Sequence, residues 1–216
     1  MFTFEEATYG FETAKEVLGI GSNTLNKIID QHLVAIRDDG SSPRNQCYAG
    51  FDIGYLASAR NRPLLIPEGE IALVCSMGVE NQEQPPSMYL DATWGRLRRN
   101  MQEIEQNLNQ ETWEQVLEGN LRVVGYWRVT DQHVEKLIND KGIVVASYGG
   151  FILDGGRVID VVPNVTNRSG GRCYVVEPFN EKDRFRFAHN FLAARQGPPN
   201  RIWTAQELAE EAEARD

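Results

Sequence analysis

Residues 12–40, ETAKEVLGIGSNTLNKIIDQHLVAIRDDG, together with YAGFDIGYL at residues 48–56, decide the fold of the first third of this 216-residue chain. Apolar residues at helical spacing predict a first helix that stops at a pair of glycines, residues 19 and 21. Ser22 is a favourable N-cap for a second helix over about residues 23–30, whose leucine and isoleucines again share one face. The stretch therefore predicts two short helices joined by a tight, glycine-containing turn.

A short hairpin and a third helix follow these two helices. Apolar strands are predicted at 33–37 and 46–49, on either side of a polar loop rich in turn residues. Residues 52–60 have helical periodicity. Helix, turn, helix and hairpin together are typical of a winged helix-turn-helix, in which the hairpin is the wing.

The second helix of such a module enters the major groove of DNA with its N-terminal residues. Hydroxyl, amide and ammonium groups stand at the start of this helix and can contact base edges and phosphates. The candidate groove residues are Ser22, Asn23, Thr24, Asn26 and Lys27. Arg37 and Arg44, on and near the hairpin, are candidate phosphate contacts, and Arg60 and Arg62 could add others.

These residues resemble the winged helix-turn-helix of MerR-type regulators and the related excisionase-like proteins. The matching positions are Ala14, Leu18, Gly19, Thr24, Leu25, Arg37, Tyr48, Asp52, Ile53 and Leu56. The resemblance implies double-stranded DNA binding, usually by a dimer on a two-fold site. The chain departs from the MerR pattern because the wing lacks an Arg-Tyr-Tyr run and no long dimerisation helix follows directly. It also lacks the cysteine pair of a metal-sensing regulator, so metal sensing is not implied.

The remaining residues predict a mixed domain. Strands are predicted near 70–76, 121–129, 143–148, 157–162 and 172–177, and helices near 95–108, 110–117, 131–139, 185–195 and 204–215. The fold class is therefore α+β, with an N-terminal winged helix-turn-helix and a mixed α/β domain with a mainly antiparallel sheet. We divide the chain into a DNA-binding domain at 1–66, a dimerisation or sensing domain at 67–203 and an acidic C-terminal helix at 204–216.

Two features of the mixed domain could bind a ligand, but each has a simpler explanation. Tyr126, Trp127, Tyr148 and Phe151 could line an aromatic pocket, but aromatic residues on strands are more often sheet core. Glycine pairs at 149–150, 155–156 and 170–171 could cradle phosphate, but β-turns explain them better. Asp154-Gly155 in particular predicts a hairpin turn.

Composition excludes several classes of protein. The three cysteines and three histidines are isolated, which argues against a metal site and a disulfide framework and favours a reducing cytoplasm. No membrane span, secretory signal or cofactor motif is evident. The net charge is −9, but residues 1–66 contribute only −2 of it, with six basic and eight acidic residues. An acidic chain can therefore still carry a DNA-binding module.

The sequence predicts a cytoplasmic, sequence-specific transcriptional regulator that binds double-stranded DNA as a homodimer, with a possible small-molecule or protein effector. It is not predicted to be an enzyme. Two alternatives stay open: a phage- or plasmid-type structural DNA-binding protein used in recombination or packaging, and a nucleotide-processing enzyme with a DNA-targeting module.

Overall fold

A computed structural model of the protein describes residues 7–30, 33–38, 45–77, 101–140, 142–166, 170–193 and 200–214. Over these residues the chain is a mixed α/β protein with eight helices and two sheets, the larger of which is mainly antiparallel. Helices and strands are numbered separately in chain order below.

The first third of the chain forms a small three-stranded sheet and three helices. In chain order the elements are β1 (Thr8–Gly10), α1 (Phe11–Leu18), α2 (Ser22–Asp30), β2 (Ile36–Asp38), β3 (Cys47–Ala49) and α3 (Gly50–Arg60). The sheet order is β1-β3-β2, and both pairings are antiparallel. Strand β3 is therefore central, and the hairpin β2–β3 gains its third strand from the segment before α1.

The rest of the described chain forms a seven-stranded sheet with five helices. The elements are β4 (Ile71–Ser76), α4 (Met101–Asn107), α5 (Gln110–Leu117), β5 (Arg122–Trp127), α6 (Asp131–Asn139), β6 (Ile143–Tyr148), β7 (Phe151–Thr166), β8 (Arg172–Pro178), α7 (Glu181–Phe187), β9 (Asn190–Phe191), β10 (Asn200–Thr204) and α8 (Ala205–Glu213). Six strands follow the order β10-β4-β6-β7-β8-β5, and β9 pairs with β7. Strands β4 and β6 are parallel, while the other pairings are antiparallel.

Both faces of this sheet are buried, which explains the continuous apolar runs in its strands. In β4, Leu73 and Cys75 point into one core with Trp127 and Tyr174, whereas Ala72 and Val74 point into the opposite one. Helix α6 contributes buried residues to the first core and α8 to the second. Helix α8, opened by the predicted capping box of Thr204 and Glu207, is therefore packed against the sheet.

Several predicted elements differ from the structure for identifiable reasons. Residues 154–156 do not form a turn: they lie inside the long strand β7, and the turn is at Gly149 and Gly150 instead. The predicted helix at 185–195 is displaced, because Asn180 caps α7 with its side chain and His189, at φ 61°, follows the end of the helix. Strands β1, β9 and β10 were missed, and part of the predicted helix at 95–108 lies outside the described residues.

Glycine inside β7 is required by close packing rather than by a turn. A Cβ on Gly155 would lie 2.6 Å from the backbone oxygen of Val144 and would also strike the ring of Phe179. The dipeptide Asp154-Gly155 therefore has the sequence of a hairpin turn, but its glycine is needed because β7 lies close to the backbone of β6 and to the Phe179 ring.

The segment after α3 connects the two sheets and packs into a core of the large sheet. Leu64 and Ile66 are buried in the core that also holds Trp203 and Leu208. Pro63 forms a parallel bridge to Phe191. Among the described residues, none of the helices has the length and apolar character needed to cross a membrane.

We expect Gly155→Ala to lower the free energy of unfolding by about 2 kcal/mol, because the new methyl group must displace backbone or the Phe179 ring. Gly54→Ala is the matched control: nothing lies within 4 Å of its Cβ position, in the middle of α3. Alanine there should stabilise the protein by about 0.5–1 kcal/mol. Urea denaturation of the two variants measures both effects, and equal stabilities would contradict the strand register.

Candidate nucleic-acid interface

A tight turn joins α1 to α2. Gly19 ends α1 in the left-handed conformation, at φ 56°, and its N–H donates to carbonyls of the last turn of α1. The carbonyl of Gly21 then accepts from the N–H groups of Thr24 and Leu25 at 3.0 and 3.1 Å. Gly21 thus precedes the helix, and Ser22, predicted to be the N-cap, is its first residue.

Helix α2 has one polar face and one packed face. Leu25, Ile28 and Ile29 are buried in the core of the first third of the chain. The exposed residues are Ser22, Asn23, Asn26, Lys27 and Asp30. At 3.6 residues per turn these five cover a continuous arc of about 140°. The outward face of α2 therefore presents only polar and charged groups.

The hairpin beside α2 is fixed by α3 and by a buried tyrosine. Asp52, in the first turn of α3, accepts a 2.8 Å hydrogen bond from the N–H of Ala35, just before β2. Tyr48 on β3 is completely buried between Tyr9 and Ile36 of the adjacent strands. Burial, and to a lesser extent the Cys47 thiol, raise the pKa of the Tyr48 phenol. These contacts set the base of the hairpin.

The start of α2 rests on the turn between β6 and β7. A Cβ on Gly149 would lie 3.0 Å from Cγ2 of Thr24 and 3.4 Å from Cγ1 of Ile28. Thr24 is accordingly only partly exposed, unlike its neighbours Asn23 and Asn26. The structure thus turns Thr24 toward the large sheet.

The two parts of the chain share a hydrophobic core. Phe151 and Phe191, from the large sheet, are buried with residues of α1, α2 and α3, and their ring centroids lie 4.9 Å apart. Tyr55 of α3 hydrogen-bonds Nδ1 of His189 and meets its ring edge-on. The N–H of Phe191 donates to the carbonyl of Arg62 at 2.8 Å. Helices α1, α2 and α3 therefore pack with the large sheet around one common core.

The predicted phosphate contacts have different environments. Arg37 is exposed on β2, at the base of the hairpin. The Arg60 guanidinium lies against Gly19 in the turn between α1 and α2, and Arg62 contacts α7. Arg44 lies outside the described residues.

The four aromatic residues considered as a ligand pocket do not come together. Trp127 and partly buried Tyr148 belong to one core of the large sheet, Tyr126 to another, and Phe151 to the core around α2. Their burial favours the alternative interpretation, that they are core residues.

Sequence reasoning missed the contact between α2 and the β6–β7 turn. The Gly149-Gly150 pair was its only signal, and at sequence level that pair indicates a turn without indicating what packs on it.

Comparison of the chain with models of protein families, with curated proteins and with solved structures finds no match. The function of α2 must therefore be argued from its own residues and from their arrangement. That arrangement is a short polar helix face supported from behind by a packed core.

We expect Thr24→Arg to destabilise the protein by about 1–3 kcal/mol, because a long charged side chain cannot fit against Gly149 without moving α2. Asn23→Arg, one residue earlier on the exposed face, should change stability by less than about 0.5 kcal/mol. Thermal unfolding of the two variants checks this difference. Equal stability of Thr24→Arg and the parent protein would contradict the packing of α2 on the turn.

Proposed function

We propose that the chain is a sequence-specific regulator that binds double-stranded DNA through α2. One observation carries the proposal. Over the first two turns of α2 the exposed side chains are all polar or charged, while the opposite face of the helix is buried in the core. A second helix in this context is the element that enters the major groove in helix-turn-helix proteins.

The side chains on this face match the chemistry of base edges. The side-chain amides of Asn23 and Asn26 can each donate a hydrogen bond to N7 of adenine and accept one from its N6 amino group. The Ser22 hydroxyl can contact any base. Lys27 can contact guanine or a phosphate. Because Thr24 packs on Gly149, its proposed role is to orient the helix and not to contact DNA.

The hairpin β2–β3 is the proposed wing. Arg37 is exposed at its base and is a candidate for phosphate binding. Arg44, near the tip of the predicted wing, keeps this role as a prediction from sequence. Phosphate contacts position the protein on DNA but carry no sequence information.

Charge predicts weak binding to arbitrary sequence. The net charge is −9, and Glu12 and Glu16 are exposed on α1, close in sequence to the turn. Specificity must then come from base contacts and from two copies of α2 acting together on a two-fold site. We therefore propose a homodimer, with the seven-stranded sheet and its helices as the dimerising or sensing part.

The test begins with selection of binding duplexes from a random pool and measurement of their affinity by fluorescence anisotropy across a salt series. A single two-fold site favours a regulator. Contiguous binding that spreads along the DNA favours the alternative, a structural DNA-binding protein. Failure to enrich any duplex, even at low salt, contradicts the proposal.

If Lys27 contacts a phosphate, Lys27→Gln should reduce the slope of log affinity against log salt concentration by about one for each copy of α2 on the duplex. Lys136→Gln is the matched control, because Lys136 is also exposed in the last turn of a helix, on α6. The control should keep the parental salt dependence. Equal slopes for both variants would remove Lys27 from the interface.

Asn26→Ala should weaken binding to the selected duplex by about 5- to 150-fold, the loss of one bidentate base contact. The loss should be concentrated at one base pair, so that substituting that pair in the DNA costs the variant nothing further. A uniform loss over all sequences would show that Asn26 does not read a base.

A further inference from the structure

Helix α7 displays one phenylalanine to solvent and buries the next. Phe185 is 78% exposed, whereas Phe187, two residues later, is completely buried. Single exposed apolar side chains are common on protein surfaces, so Phe185 is distinguished by the charged groups that share its surface.

The helix that carries Phe185 is firmly anchored. Asp183, itself buried, forms two 2.9 Å hydrogen bonds with Arg157 of β7, and they raise the pKa of that guanidinium. Asn180 caps the first turn through the N–H of Asp183 at 2.9 Å. The buried Phe187 ring lies beneath Arg157 and Arg186, 5.8 and 5.1 Å from its centroid. Phe185 therefore projects from a helix that is anchored by its N-terminal cap and by its ion pair with β7.

Arg62 and three exposed cations of α7 share the surface of the exposed ring, in a chain that is acidic overall. The Arg62 guanidinium lies 5.9 Å from the centroid of Phe185 and donates to its carbonyl at 3.2 Å. The exposed cations of this surface are Lys182, Arg184, Arg186 and Arg62. Glu181 is also exposed, and Arg184 lies 3.8 Å from Asp154. Because Asp183 is buried and paired with Arg157, the outward charge of α7 is positive.

We propose that this surface, Phe185 with Arg62, Lys182, Arg184 and Arg186, binds an unpaired nucleic-acid strand. A base stacks on the Phe185 ring while the neighbouring cations contact the phosphates. The bases of a duplex are already stacked on one another, so an aromatic ring held in this way can receive only an unpaired base. The positive charge complements phosphate on a chain whose net charge is −9.

Helix α3 supplies a neighbouring aromatic group. Its Phe51 is 76% exposed and stands one helical turn before Tyr55. Tyr55 contacts His189, which follows α7 by two residues. Phe51 is thus a second exposed ring on which a further base of a longer strand can stack.

The proposal does not depend on duplex binding by α2, and a single substitution tests it. Phe185→Ala should weaken binding of a fluorescent oligothymidylate of about 20 nucleotides roughly tenfold, since stacking of one base is lost. Phe185→Tyr should retain the parental affinity. The matched control is Leu117→Ala, which removes a side chain that is 64% exposed on α5. Circular dichroism should show all three variants folded, because the replaced side chains are exposed.

The charged residues give a second readout. Arg184→Gln combined with Arg186→Gln should lower the salt dependence of oligothymidylate binding, and Lys136→Gln on α6 should leave it unchanged. Oligouridylate tests RNA as the source of the strand, and comparable binding of both supports one site for either nucleic acid. Unchanged affinity of Phe185→Ala for both oligonucleotides overturns the proposal. So does their displacement by a polyglutamate peptide of equal charge, because an acidic protein segment would then be the better occupant.

Discussion

The rest of the structure depends on the close approach of the first third of the chain to the turn between β6 and β7. Gly149 leaves room for Thr24 and Ile28 of α2, and Gly150 leaves room for Phe191 and the carbonyl of Leu192. Both glycines adopt positive φ, at 61° and 99°, which other residues rarely do. A side chain at residue 149 would press on Thr24 and Ile28 of α2, and one at residue 150 would strike Phe191 and the Leu192 carbonyl within the large sheet.

This contact determines which surfaces remain available. Burial of Phe151 and Phe191 in the core around α2 contributes about 1.5–3 kcal/mol per side chain, so α2 and the large sheet behave as one packed body. Because its apolar face and Thr24 are occupied, α2 has only its polar arc left for a partner. The same arrangement links the segment around α3 to the segment around α7, because Tyr55 hydrogen-bonds His189 and Arg62 donates to the carbonyl of Phe185.

The sequence predicted elements whose signals are local. Helix α5 begins where Asn109 caps it through the N–H of Thr112, and α6 spans the predicted residues 131–139. The two helices around Gly19 were also predictable, because helical periodicity and a left-handed glycine are properties of a few adjacent residues. The errors arose where distant residues decide the outcome: the backbone of Val144 and the ring of Phe179, not a turn, explain Gly155.

The features of the candidate site can be separated in the same way, into those that the local sequence predicts and those that distant residues determine. The polar residues at the start of α2 could be identified from sequence, but the orientation of Thr24 could not, because residue 149 determines it. Phe185 was predicted to begin a helix that instead starts at Glu181, since the Asn180 cap was overlooked and the periodicity was extended past His189. Exposure of an aromatic residue is a property of the fold, and an apolar pattern by itself favours burial.

The central claim is that the outward face of α2 contacts duplex DNA. Replacing Asn26 by a photo-crosslinking benzoylphenylalanine, with Glu135 on the exposed side of α6 as the comparison position, measures this contact directly. Because loss of the Asn26 amide should itself weaken binding about 5- to 150-fold, irradiation is done at protein concentrations that saturate the selected duplex. It should then crosslink the position 26 variant to bases of the recognised site and leave the position 135 variant uncrosslinked. Binding of the duplex without a crosslink at position 26, or with a crosslink at position 135 instead, would contradict the account.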